Sequence, residues 1–318
     1  MRKWSVLILI LCTIFTLGLF TQAQAVEWQV GDVIAGTASG TVEHWRTGSG
    51  LLDTYAAGAT SYQTGMAFDS SGNLFVTNFA ADRVSKLAGP GDPHTASLYV
   101  SQGSNPETIV FDKLGNAYIG SASNGDIKKY DSAGNLLSSW NTGFRADWID
   151  LNALNTKIFF AEDVSKGVFI LDLATSVRST FNSDFGNFAL RLLGDGSVVV
   201  ANREDIKLLD SAGNLVRSYD VAGNNAWFAL NLDPDGKTFW SADFDTGLIQ
   251  QFDIATGATM TSFSSGSSGG PWGLAVFGEI TQGGGGDGGG EVPEPATMIL
   301  LGSGLVGLAG YARKRMKK

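Results

Sequence analysis

The chain has a single cysteine, Cys12, inside a segment expected to be removed from the mature protein, so neither disulfides nor thiol chemistry can support this molecule. Histidine is almost as scarce. His44 and His94 stand far apart with no Ser or Cys constellation around them, which argues against triad hydrolysis and histidine-rich metal sites. Basic residues are few as well. Arg2, Lys3 and the five basic residues after Ala312 account for seven of the 22, leaving 15 against 31 acidic residues and a body charge near −16. An acidic surface with no basic stripe repels phosphate backbones, so nucleic acid is not an expected partner.

Glycine, by contrast, is abundant: 42 residues among 318, without the collagen period and beside 43% hydrophobic residues. That balance points to an all-β chain with many turns.

The two ends read as addresses. Residues 1–25 combine Arg2 and Lys3, an apolar run from Val6 to Phe20, and Ala23-Gln24-Ala25 as small residues for cleavage. This is the pattern of a secretory signal peptide delivered to a secretion translocon, with Val26 as the mature start; an uncleaved anchor helix is the alternative. Leu11 before Cys12 does not suit a lipoprotein signal. Residues 281–291 form a Gly-rich linker, in which Gly283 to Gly290 reads as a flexible tether that cannot pack. Residues 292–318 contain Pro293-Glu294-Pro295, an uncharged stretch from Ala296 to Ala312, and a basic end with Arg313, Lys314 and Arg315. The apolar stretch has 17 residues, just enough for a helix at about 1.5 Å per residue to cross a bilayer core. The basic end stays cytoplasmic by the positive-inside rule, placing the body outside.

This tail resembles the PEP-CTERM sorting signal of exopolysaccharide-producing Gram-negative bacteria, in the order and spacing of motif, span and basic cluster. The resemblance implies recognition by an exosortase-type membrane protease, transient residence in the inner membrane, and release or attachment at the cell surface. A permanent C-terminal anchor is the alternative.

Between these ends, residues 26–280 repeat a four-strand plan about every forty residues. Trp45, Leu87, Tyr130, Leu171, Leu209 and Phe252 form one column, at intervals of 42, 43, 41, 38 and 43. Turn glycines recur at Gly72, Gly115, Gly196 and Gly236, with Asn155 standing in for the missing one because Asn tolerates positive φ. Asp131 to Asn135 and Asp210 to Asn214 are identical hairpin loops, Asp-Ser-Ala-Gly-Asn. Four short strands per copy at this period are the signature of propeller blades. First-strand positions Met66, Ile109, Ile149, Leu190, Leu230 and Leu274 are all apolar, as a core between blades requires. The first copy, Gly31 to Tyr55, lacks a first strand, and Trp272 to Phe277 is a first strand with nothing after it. Joining them predicts a six-bladed ring closed by the two termini of the body. Asp150 and Arg191 share a column on adjacent first strands and are expected to form an ion pair between blades.

Gly65-Met66-Ala67-Phe68-Asp69, Gly72 to Val76, and Asp82-Arg83-Val84 before Lys86-Leu87 resemble an NHL-type repeat. The resemblance implies a six-bladed propeller, in a superfamily of binding platforms, senescence-marker-like metal lactonases and streptogramin lyases. Fold does not choose among these. The lyases place a histidine near the channel, and no inner strand here carries one.

In such a ring, first-strand entries and second-strand exits meet around one channel mouth. The entries bring Glu107, Asp147, Trp227 and Trp272; the exits bring Asn78, Ser121, Glu162, Asn202 and Asp243. Carboxylates and amides gathered there suit Ca²⁺, with Glu107 and Asn202 as candidate ligands, whereas the bland reading is a solvated acidic loop face. Trp148, Trp227 and Trp272 either stack on sugars or plug the channel. Asn231, Asp233, Asp235 and Gly236 imitate the start of an EF-hand loop, but position twelve is Ala242, so a hairpin turn is expected. His44, beside Trp45, is expected to pack. The reading is an exported binding or scaffold propeller, with polysaccharide as a candidate partner; a Ca²⁺-dependent lactonase or related hydrolase is the alternative.

Overall fold

A computed structural model describes residues 25–163, 167–185, 188–266 and 269–284. The expected signal peptide, residues 1–25, apart from Ala25, and the sorting tail lie outside the described residues. The first complete blade comprises β4 (Gln63–Phe68), β5 (Leu74–Asn78), β6 (Arg83–Leu87) and β7 (Ala96–Ser101). Next come β8 (Pro106–Phe111), β9 (Ala117–Ser121), β10 (Asp126–Tyr130) and β11 (Leu136–Asn141). The third has β12 (Trp148–Leu151), β13 (Lys157–Ala161), β14 (Val168–Asp172) and β15 (Arg178–Asn182). The fourth has β16 (Ala189–Leu192), β17 (Val198–Ala201), β18 (Ile206–Leu209) and β19 (Leu215–Tyr219). The fifth has β20 (Trp227–Leu232), β21 (Thr238–Asp243), β22 (Leu248–Asp253) and β23 (Thr259–Ser264).

The sixth blade draws on both ends, in the order β24 (Gly273–Val276), β1 (Val33–Gly36), β2 (Thr41–Arg46) and β3 (Gly50–Ala56). Val33 faces Val276 and Gly36 faces Gly273 across this antiparallel seam. Successive first strands touch around a closed ring, β24 to β4 and on to β20 and back. The molecule is thus an all-β six-bladed propeller closed by its own N- and C-terminal strands.

Burial follows strand rank. First strands are buried along their whole length, while fourth strands such as β11 and β19 are mostly exposed. In every blade the pairing of third and fourth strands shifts register once. Such bulges add twist and make the outer edge a poor template for a foreign strand. The repeated loops behave as their sequence requires. Asp131 accepts from the backbone of Ala133 and Asn135, Asp210 from Ala212 and Asn214, and Gly134 and Gly213 hold φ of 84° and 86°. Asn155 takes the glycine role at φ 53°.

After β24 the chain does not leave at the rim. Residues 277–284 run as a strap beneath the axis. Glu279 accepts from Arg191 Nε at 2.8 Å, Asn231 Nδ2 at 2.8 Å and the Leu232 backbone at 2.7 Å. Farther on, Asn155 Nδ2 donates to the Gly283 carbonyl at 3.1 Å, and Gly284 bridges Asp112. The strap therefore reaches the blade opposite its origin. This corrects two expectations. Gly283 is packed, and a Cβ there would sit 3.0 Å from both Leu151 Cβ and the Phe111 carbonyl. Arg191 makes its ion pair with Glu279 instead of Asp150, whose oxygens accept from the Leu192 and Leu151 backbones at 2.8 and 2.9 Å. Above this network, Trp148 reaches past β16 to meet Phe228 of β20 edge-on at 6.4 Å, with the Arg191 guanidinium 5.6 Å from its ring. The channel is filled below its mouth.

Burial pushes Asp150 up to about 6; Arg191 opposes the shift and Glu279 adds to it. A carboxyl whose folded value exceeds its unfolded one stabilises the fold fully below the unfolded value, and that contribution is lost as pH rises through the folded value. From 3.8 to about 6, the loss is on the order of 3 kcal/mol. Asp32 and Asp112 are held below the usual range, so their contribution is present above about pH 4 and fades only in stronger acid. Urea midpoints are therefore expected to fall between pH 4 and pH 6.5, with a shallower fall in Asp150→Asn. Equal slopes in the two proteins would refute this assignment.

Candidate functional site

The mouth of the ring holds a cavity of about 330 Å³. Its lining comes from every blade. Tyr62, Thr64, Glu107, Arg145, Phe188, Phe228 and Trp272 stand at first-strand entries, and Phe79, Asp163, Arg203 and Phe244 just past second-strand exits. The topology gathers there what the sequence keeps forty residues apart.

On one side the wall is aromatic. Trp272 stacks on Phe244 with centroids 4.6 Å apart and planes 15° from parallel, and meets Phe228 and Tyr62 edge-on at 5.5 and 5.2 Å. Its Nε1 is buried with no hydrogen-bond partner. The exposed Arg203 places its guanidinium 5.9 Å over the Phe244 ring. On the other side the wall is ionic. Arg145 Nε lies 2.8 Å from Asp147 Oδ1 and 3.2 Å from Asp163 Oδ1, and its Nη2 lies 3.5 Å from Glu107 Oε2. Asp147 Oδ2 accepts from the Asp163 backbone at 2.8 Å, locking the two loops together.

Burial, then the neighbouring Asp147, push Glu107 well above the carboxylate range, and Arg145 offsets this only in part. Burial likewise pushes Asp147 up to about 6 against the pull of Arg145. Two carboxyls in such contact cannot both ionise cheaply, and burial makes Glu107 a reluctant acid.

The sequence-derived candidates divide sharply. Glu107 and Trp272 line the cavity, and Asp147 stands directly behind it on Arg145. Four others are displaced by one residue, their neighbours Asp163, Arg203, Phe244 and Phe228 lining the cavity where Glu162, Asn202, Asp243 and Trp227 were expected. Asp243 is fully buried and caps its own turn, accepting from the backbones of Asp245, Thr246 and Ala226 at 3.0, 2.8 and 3.0 Å. Trp227 is fully buried against Phe252, with Nε1 donating to Asp220. It is a core residue, as is Trp148. Asn78 and Ser121 are tied into buried networks with Gln63, Ser85 and Gln102. Glu162 is buried with Oε1 unpartnered.

These residues do not assemble a Ca²⁺ site. That ion takes six to eight oxygens, but the acids here converge on a guanidinium, and Asn202 is not among the lining residues. Among the described residues no three His, Cys, Asp or Glu side chains are grouped to hold a metal. The local cation is Arg145, which the sequence reading passed over; its signal was a lone basic residue two positions before Asp147 at a strand entry. The Asn231 to Gly236 segment is the expected hairpin turn, with Asp233 accepting from Thr238, Trp240 and Gln251. His44 is buried against Asp32 at 2.7 Å, and His94 stacks on Trp28 at 3.9 Å, so neither faces the mouth.

Solved structures resemble the ring without defining its ligand. A chain of a nidogen/laminin complex matches with 15% identity and a TM-score of 0.65, over 77% of this chain and 98% of that one. Virginiamycin B lyase from Staphylococcus aureus matches with 12% identity and a TM-score of 0.57, over 79% and 90%. At such identities the likeness shows the fold alone. No protein of curated function matches the chain. A family model for the PEP-CTERM protein-sorting motif matches residues 291–315. That motif implies export and membrane anchoring during sorting, with an exosortase as the membrane protease that reads it. The chain is therefore a six-bladed β-propeller that carries a PEP-CTERM protein-sorting motif.

Proposed function

We propose that this protein is a binding module displayed at the cell surface, and that its mouth takes a sugar ring of a polysaccharide against Trp272. The observation that carries this reading is the aromatic wall. Flat apolar faces beside carboxyl groups and a guanidinium suit a molecule with one apolar face and a rim of hydroxyls. The sorting signal that the tail resembles belongs to bacteria that export polysaccharide, which supplies a partner of that chemistry. No feature of the mouth favours a metal-dependent lactonase. Titration calorimetry against a panel of neutral, acidic and amino polysaccharides is the test. Trp272→Ala is expected to weaken the binding member about tenfold, roughly 1.4 kcal/mol. Unchanged affinity in that variant would overturn the stacking.

Residues 26–280 act as the exported body, extended by the strap, and residues 292–318 as the removable signal. Replacing Pro293 and Pro295 with Ala is expected to leave the protein membrane-bound with its tail intact. Mass spectrometry of surface or released wild-type protein from its native host is expected to show the tail removed. An intact Arg313 to Lys318 segment would mean a permanent anchor.

A further inference from the structure

Glu107, Asp147 and Asp163 share one guanidinium, so Arg145 cannot neutralise them all. Next to Asp163 in the chain, Glu162, 2% exposed, has an oxygen with no hydrogen-bond partner. The surplus negative charge abuts the cavity, since Glu107 and Asp163 both line it. Elsewhere the lining is mostly aromatic, and aromatic faces attract cations, best of all when the cation is desolvated. A bare metal ion does not suit a cavity of about 330 Å³ whose far wall offers rings instead of oxygens. An organic cation suits both walls.

We infer that the mouth takes a protonated amino sugar, its ammonium seated between Glu107 and Asp163 and its ring lying on the Trp272 and Phe244 pair. This rests on the polysaccharide reading above and names the class of sugar. The body charge near −16 favours a cationic polymer over an acidic one. Arg203, the other cation at the lip, is exposed and lies over Phe244, where solvent screens it from the acids. From the β4 side Tyr62 and Thr64 bring only hydroxyls. Asp147, Arg145 and Asp163 are thus the charged groups that set the behaviour of Glu107. Seating an ammonium beside Glu107 favours its ionised form, so binding and proton release are coupled.

The test is calorimetry on the exported body, residues 26–284, with a glucosamine tetramer, its fully N-acetylated counterpart and choline, each at pH 5 and pH 6.5. The glucosamine tetramer is expected to bind at least tenfold tighter than the acetylated one, with a heat that depends on the buffer's ionisation enthalpy because a proton is released. Glu107→Gln is expected to remove most of that preference. Asp163→Asn, on a partly exposed side chain, provides the same readout if the first variant does not fold. Equal affinity for the two tetramers, or binding only of a neutral or acidic polysaccharide, would overturn the amino-sugar assignment and leave the polysaccharide reading standing. Binding of choline with no sugar of any kind, or no binding at all, would overturn both.

Discussion

Ending the body at Gly270 is expected to unfold all six blades, because β24 is the only partner of the β1 edge and the only first strand of its blade. The truncation removes Leu274, Val276 and Phe277, each buried in an inter-blade cluster. At about 1.5 to 3 kcal/mol per buried side chain, these three alone contribute roughly 5 to 9 kcal/mol. A domain of this kind is stable by about 5 to 15 kcal/mol in total, and the exposed β1 edge and the loss of Glu279 add to the deficit. Far-ultraviolet circular dichroism is expected to show no cooperative melt in the truncated protein. A melt at the temperature of the intact body would mean that the two-ended blade contributes nothing to the others.

The second large effect belongs to one carboxylate. Glu279→Ala strands Arg191, 1% exposed, without its ion-pair partner, and leaves the Asn231 amide and the Leu232 backbone without an acceptor. Breaking a buried pair from one side costs about 3 to 5 kcal/mol. For a body of this size that lowers the melting temperature by roughly 6 to 20 °C. Replacing both partners, as Arg191→Met with Glu279→Leu, is expected to recover much of the loss, since no charge is then buried alone. A drop below about 1 kcal/mol for the single variant would show that solvent reaches Arg191.

The ring was legible because its signals repeat. All six members of the third-strand column, from Trp45 to Phe252, lie on third strands, and all the apolar first-strand positions are buried. The closing seam followed from counting what the first and last copies lack. The mouth was legible only to within one residue. Successive side chains on a strand point to opposite faces, and in β21 the last residue still belongs to the ladder while the next one turns toward the axis. Hence Asp243 caps a turn and Phe244 lines the cavity. At Trp227 a register shift between Trp227 and Ala229 moves the face once more, putting Phe228 in the opening. Bulges of this kind leave no mark in a hydrophobic pattern. Arg145 was missed for a different reason: it is one of few basic residues in an acidic body, and a tally of donors for a cation has no place for a cation already in the chain. The Arg191 pairing was misassigned because its true partner lies 88 positions away on the strap, outside any repeat column.

The strap also makes the two faces of the ring unlike. Glu279, Gly283 and Gly284 are held among the ends of first strands, on the face opposite the cavity. The last described residue, Gly284, therefore lies beneath the axis. Trp272, Glu107 and their neighbours open on the face that the strap leaves clear. A molecule entering the opening therefore does not have to displace the strap.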